Sequence, residues 1–170
     1  MEKIKTFLAP MINIIAAIGK NRELGKDNKL FWNIPEDMER FRKLTLNSVV
    51  IMGRKTYESL PAKFRPLPDR INIVVTRNRA WTPEGCLALN SIEKALEKAK
   101  AFGKEIFIIG GAQIYNLGIK YCNKLYLTLV DKKYPDADAF FPDYSDFKKV
   151  IKVEKKFDKK FTYRFIELEK

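Results

Sequence analysis

Between residues 11 and 130, short runs of apolar, β-favouring residues alternate with segments of helical pattern, and that alternation restricts the fold more than any other feature. The candidate strands are "MINIIAAI" (11–18), "SVVIM" (48–52), "INIVVT" (71–76), "CLAL" (86–89), "EIFII" (105–109) and "KLYLTLV" (124–130). Helical patterns fall between several of them, at 35–45, 54–60, 91–102 with Ser91 as its cap, and 112–118. Strands joined through crossover helices argue for a mostly parallel sheet. The last two strands, near 150–157 and 161–168, are separated only by the polar "DKK" and so predict an antiparallel hairpin. The expected fold class is α/β, with a central sheet of about eight strands and about four flanking helices in a single domain over 1–170, preceded by an N-terminal extension at 1–10. A chain of this length buries roughly 70% of its unfolded surface, so it needs no disulfides.

Composition narrows the chemistry. The chain has no histidine, so mechanisms built on an imidazole base are excluded, and its two cysteines, Cys86 and Cys122, lack CxxC spacing. No metal site is expected. Proton movement is left to carboxylates, Tyr, Lys, Cys or bound water. Unpaired cysteines also fit a cytoplasmic protein. The N-terminal "MEKIKTFLAPMINIIAAIG" has a basic start and an apolar stretch, as a secretory signal does. Pro10 and Asn13 interrupt it, it is too short for a bilayer span, and residues 11–18 make a good buried strand, so neither a cleaved signal nor a membrane anchor is expected.

The net charge of +12 favours anionic partners, which include nucleic acid, membrane surfaces and phosphorylated or carboxylated small molecules. Residues 148–170 hold nine Lys or Arg against four acids, alternating with apolar residues in "VIKVEKKF" and "KFTYRFIEL". This pattern reads as the outer faces of half-buried strands, and a solvated surface is expected there.

One residue breaks its local pattern. In "LFWNIPEDMERF" (30–41), Pro35 suits the first turn of a helix. Glu36, Glu39, Arg40 and Lys43 then share a solvated face, where Glu36 can reach Arg40 and Glu39 can reach Lys43. The opposite stripe is Ile34, Met38, Phe41 and Leu44, and Asp37 projects into it. An ionised carboxylate in an apolar wall is costly without a partner, although it also favours the helix N-terminal dipole.

Three strand ends open onto features suited to an anionic ligand, and ligands of open α/β sheets bind beyond the carboxyl ends of strands. In "VVIMGRKT", Gly53 precedes Arg54, Lys55 and Thr56 at a helix start. "INIVVTR" ends in Thr76 and Arg77, and in "IFIIGGAQIY" Gly110 and Gly111 break the strand ahead of another helix. Neither GxGxxG nor a Walker lysine is present, which disfavours standard Rossmann and P-loop proteins.

Taken in order from residue 11 onward, "IIAAIG", "LGKDNKLFWNIPEDM", "TLNSVVIMGRKTYESL", "RPLPDR", "INIVVTR", "IIGGAQIY", "LYLTLVD" and "DADAFFPDY" closely resemble the dihydrofolate reductase family. The resemblance implies NADPH-dependent reduction of 7,8-dihydrofolate to tetrahydrofolate, with hydride passing to pterin C6 and a proton to N5. Asp37 then matches the carboxylate that pairs with pterin N3 and the 2-amino group, Thr128 links it to that amino group, and Trp32 holds a water. Tyr115 stands beside the nicotinamide. Apolar walls come from Ile15, Leu30, Met38, Phe41, Leu60 and Ile109, with backbone contacts from Ala17, although core packing alone would also explain these apolar residues.

The resemblance further implies that Arg70 clamps the α-carboxylate of the glutamate tail, with Arg65 nearby. For NADPH it implies Arg54, Lys55 and Thr56 at the pyrophosphate and adenosine end, with Thr76 and Arg77 at the 2'-phosphate. Gly110 and Gly111 match a pair joined in the family by a cis peptide, followed by Ala112, Gln113 and Ile114 along the cofactor. A lid runs from Leu24 and Gly25 to Trp32. Antifolates are expected in the same pocket, nucleic acid is not an expected partner, and a monomer is expected.

Three features depart from the family pattern: Phe31 where most relatives have proline, Asp69 where glycine usually precedes the arginine, and the longer "LPAKFRPL". Two other readings compete. A same-fold reductase of a ribosylated aminopyrimidine in riboflavin synthesis would not need Asp37, Trp32 and Arg70 in these roles. A basic nucleic-acid-binding domain is supported by net charge alone.

Overall fold

The computed structural model describes residues 8–170, so most of the expected N-terminal extension lies outside the described residues. In chain order the elements are β1 (Ile12–Ile18), β2 (Glu23–Lys26), β3 (Lys29–Leu30), α1 (Pro35–Thr45), β4 (Val49–Gly53), α2 (Arg54–Ser59), β5 (Ile71–Val75), β6 (Leu87–Leu89), α3 (Ile92–Lys100), β7 (Ile106–Ile108), α4 (Ala112–Gly118), β8 (Lys124–Val130), β9 (Ala139–Phe140), β10 (Lys149–Phe157) and β11 (Thr162–Glu169). Short 3-10 turns occupy Ala62–Phe64 and Ile119–Tyr121.

Eight strands form one sheet in the order β10-β11-β8-β1-β7-β4-β5-β6. The run from β8 to β6 is parallel throughout, while β11 pairs antiparallel with β8, and β10 with β11. The expected α/β sheet with its C-terminal hairpin is therefore observed. Helices on both faces explain why the central strands are apolar throughout. Val49 and Ile51 of β4 pack with Ala95 and Leu96 of α3, whereas Val50 and Met52 face the other way, with Phe41 and Leu44 of α1 and Tyr57 of α2.

α1 and α4 occupy the expected residues, and α3 starts after Ser91, whose Oγ accepts from the Lys94 N–H at 3.1 Å. Two expectations need correction. The Glu36–Arg40 pair does not form, because the C-terminal hairpin offers each partner something better. Glu36 takes the Tyr163 hydroxyl at 2.8 Å and Lys156 at 3.1 Å, while the Arg40 guanidinium lies 4.5 Å over the Phe165 ring. The other expected pair, Glu39–Lys43, is present at 2.9 Å. The second correction concerns the hairpin itself. β11 buries Tyr163, Phe165 and Leu168, but β10 is the edge strand and exposes Val150, Ile151 and Val153, because no further layer among the described residues reaches it.

A second, three-stranded sheet in the order β3-β2-β9 was not expected. Its β2–β3 hairpin turns through Asp27 and Asn28, both with positive φ (49° and 61°), the conformation a two-residue hairpin turn demands. Gly25 is required within it, since a Cβ there would run into the Lys29 carbonyl across the hairpin.

Candidate active site

The large sheet splits at one place. β1 pairs with β7 only as far as Ile14 opposite Ile108, yet it pairs with β8 as far as Ile18 opposite Leu129. Beyond Ile14 the carboxyl ends of β1 and β7 part, which opens a crevice where the strand order departs from chain order.

On the β7 side the crevice is walled by backbone. The Gly53 N–H donates to the Gly110 carbonyl at 2.8 Å, and the Gly110–Gly111 peptide is cis, as the resemblance implied. A Cβ on Gly53 would lie 3.1 Å from Ile114 Cγ1, and one on Gly111 would lie 3.3 Å from Thr56 Oγ1. Bare backbone therefore lies between the starts of α2 and α4, whose N-cap residues, Gly53 and Gly111, bring no side-chain cap. This cradle fits a dinucleotide pyrophosphate, and Thr56 and Ile114 border it. Lys55, Arg77 and Gln113 are exposed, and Thr76 and Ala112 are half-buried. Arg54 pairs with Glu58 at 2.7 Å and lies over the Trp81 ring.

Tyr115, in the first turn of α4, spans the split. Its hydroxyl donates to the Ile15 carbonyl at 2.8 Å, an acceptor left free where β1 and β7 separate. Burial, with a smaller contribution from the Asp37 charge, raises its pKa well above the ordinary tyrosine value, so the phenol stays protonated.

On the β8 side stands Asp37. The buried Thr128 hydroxyl donates to its Oδ1 at 2.5 Å, across to α1. Burial pushes the Asp37 carboxyl above its usual range, opposed by the Thr128 bond and the Arg40 charge. Arg40 is thus a site neighbour that the sequence reading assigned to the solvated face; no spacing signal marks it, because the aromatic ring it rests on lies in β11.

Trp32 is 6% exposed, and its Nε1 is buried without a partner among the described residues, which suits a donor to a bound water. Core packing does not account for all the apolar candidates. Ile15 is buried, but Ala17, Phe41, Leu60 and Ile109 are only half-buried, while Met38 and Leu30 are 53% and 61% exposed at the rim.

At the outer end, Arg70 is half-buried; its Nε donates to the Pro68 carbonyl at 2.8 Å and its Nη1 to Thr45 Oγ1 at 3.1 Å. Asp69 adopts a φ of 57°, the conformation a glycine would take, so the substitution leaves that turn intact. Arg65 Nη1 donates to the Glu58 carbonyl at 2.9 Å.

The hairpin of β2 and β3 occupies the expected lid. Gly25 is buried within it, Leu24 packs into the core and Trp32 is buried, so the exposed part of the lid is residues 26–30. Glu23, only 1% exposed, went unnoticed in the sequence. Its carboxylate accepts from the backbone N–H of Asn21 at 2.8 Å and of Tyr134 at 3.0 Å. No local pattern reveals that role, because one partner is 111 residues away.

Comparison with known proteins agrees with this geometry. The dihydrofolate reductase family matches residues 11–170. Dihydrofolate reductase of Buchnera aphidicola subsp. Acyrthosiphon pisum is 46% identical over 133 residues, which cover 78% of this chain and 80% of that protein. Dihydrofolate reductase of Bacillus subtilis is 38% identical over 164 residues, covering 94% and 95%. A solved structure of dihydrofolate reductase from Enterococcus faecalis, complexed with NADP(H) and RAB-propyl, superposes with a TM-score of 0.83 at 27% identity, covering 95% of this chain and 98% of that one. The riboflavin-pathway reading is not favoured by these matches. On the extent of these likenesses, the chain belongs to the dihydrofolate reductase family.

Proposed function

We infer that this chain is an NADPH-dependent dihydrofolate reductase that converts 7,8-dihydrofolate to tetrahydrofolate, delivering hydride to pterin C6 and a proton to N5. The observation that carries the reading is the Asp37 carboxylate, held by Thr128 beside a split in the sheet whose other wall is bare glycine backbone. NADPH, when bound, supplies the hydride. The protein's part is orientation and electrostatics. Asp37 pairs with the pterin N3 and 2-amino group, and its interaction with the protonated ring replaces the hydration lost on burial. Trp32 Nε1 positions a water at the pterin edge. Tyr115 has its proton committed to Ile15, so its oxygen lone pairs are the group able to meet positive charge as it develops on the nicotinamide.

Ile15, Ala17, Met38, Phe41, Leu60 and Ile109 sandwich the ring, and Leu30 closes over it from the hairpin. Arg70, with Arg65 beyond it, receives the glutamate tail, a task suited to a planar bidentate donor. Gly53, Arg54, Lys55, Thr56, Gly110 and Gly111 hold the pyrophosphate, and Thr76 with Arg77 holds the 2'-phosphate. Ala112, Gln113 and Ile114 line the cofactor, with Leu24 and Gly25 at the root of the lid. Antifolates compete for the pterin pocket. Two free cysteines fit a reducing cytoplasm, where the enzyme acts as a monomer.

Loss of NADPH absorbance with dihydrofolate tests the reading, comparing the wild-type protein with Asp37→Asn. Dihydrofolate-dependent oxidation in the wild type and a large loss in the variant are expected. An inactive wild type would overturn the function, whereas an unimpaired variant would overturn the role of Asp37.

A further inference from the structure

The β2–β3 hairpin is tied to the segment after β8 along both of its arms. On the β2 arm, Glu23 accepts the Tyr134 N–H, the Asp138 N–H donates to the Gly25 carbonyl at 3.1 Å, and Asp138 Oδ2 accepts the Asp27 N–H at 3.0 Å. On the other arm, β3 is only two residues long and runs straight into Phe31. The Phe31 ring lies on Tyr134 with centroids 4.3 Å apart and planes 12° from parallel. Trp32, the next residue, sits with its centroid 5.5 Å from the same tyrosine and is anchored among Ile34, Val130, Tyr163 and Phe165. Tyr134 therefore joins the two arms, through its backbone to Glu23 and through its ring to Phe31. The Glu23 bonds are charge-assisted and buried, whereas the stack is a contact between two half-buried neutral rings, so the stack is the weaker of the two ties.

We propose that Phe31 is a positioning residue for the reaction: stacked on Tyr134, it latches the β2–β3 hairpin shut and sets how fast bound NADPH escapes from the crevice. The latch rests on the dihydrofolate reductase reading and deepens it. Lifting the hairpin parts the rings while Trp32 stays in its cluster, so Phe31 marks the point about which the arm opens. Leucine at either position keeps an apolar contact and removes the ring-on-ring face.

The experiment measures the NADPH dissociation rate by trapping with excess competing ligand, alongside dihydrofolate turnover and thermal unfolding, in Phe31→Leu, Tyr134→Leu and the double variant. Each single variant is expected to release NADPH about threefold to tenfold faster, the range set by an aromatic pair of this kind. The double variant should be no faster than the quicker single one, because both changes break the same contact. Phe31→Tyr, which keeps the stack, should restore the slow rate. Additive effects, or lower melting temperatures with unchanged dissociation rates, would overturn the latch and leave the enzyme's function intact. A wild-type protein that neither binds NADPH nor reduces dihydrofolate would overturn the functional reading and the latch with it. If Tyr134→Leu does not fold, Phe31→Leu against Phe31→Tyr decides alone: equal dissociation rates refute the latch.

Discussion

Thr128→Val removes one hydroxyl from a buried strand position and keeps the branched shape of the side chain. The lost group is the donor to Asp37 Oδ1 at 2.5 Å. A hydrogen bond to a charged acceptor is worth about 1.5–3 kcal/mol, which corresponds to about a tenfold to 150-fold change in an equilibrium or rate ratio. If Asp37 binds the pterin as an ionised carboxylate, kcat/KM for dihydrofolate should fall by that factor near neutral pH. The pH dependence adds a second signature. Burial already raises the Asp37 pKa, and the Thr128 bond opposes that shift. Without the bond, the pKa rises further, so the acid limb of the kcat/KM profile should move to higher pH. Thr128→Ser retains the donor and should stay close to wild type in both respects. The assay is NADPH oxidation across a pH series at subsaturating dihydrofolate. A valine variant within twofold of wild type, with an unmoved acid limb, would refute the assignment of Thr128 and Asp37 as a functional pair.

Asp37→Asn should trade activity for stability. A carboxyl whose pKa is raised by folding stabilises the native state most in its protonated form, and that contribution is lost as pH rises through the folded pKa. The variant should therefore melt above wild type at neutral pH, and the gap should close on acidification. Arg70→Lys replaces a forked donor by a point charge and should raise KM for dihydrofolate about tenfold or more, while a dihydropterin without the glutamate tail is reduced at an unchanged rate. Ser91→Ala removes the cap of α3 and should cost about 1 kcal/mol, read as a melting temperature lower by about 2–4 °C with kcat/KM unchanged.

The large sheet was legible in the sequence because each of its strands carries its own signal. β4 reads as apolar because helices cover both of its faces, and α1 announces itself through Pro35 and its stripe. The β3-β2-β9 sheet was not legible because its strands, "KL", "ELGK" and "AF", hold no run of three apolar residues, whereas β6 and β7, though only three residues long, are apolar throughout. Within the site, Asp37 was visible as an acid on the wrong face of a helix. Arg40, Glu23 and the Phe31–Tyr134 stack were hidden for a common reason. Each depends on a partner from a distant segment, and only the assembled sheet brings the pieces together. Phe31 did stand out as a departure from the family pattern, but the sequence alone offered no ring for it to meet.

Among the described residues, β10 is the outermost strand of the large sheet and exposes Val150, Ile151 and Val153 along an unpaired backbone edge. A strand of nine residues with such a face is a template on which a second molecule could add. Lysines at 149, 152, 155 and 156 are interleaved with those apolar residues, and Glu169, Glu154 and Glu36 pair with three of them. The nine basic against four acidic residues of 148–170 still leave a net positive charge, so two such edges brought together would face each other with like charge. The repulsion acts over a distance of about 10 Å at 0.1 M salt and shortens as salt is added. The basic excess of the C-terminal hairpin thus opposes edge-to-edge pairing, and the colloidal stability of this enzyme should decline with rising ionic strength.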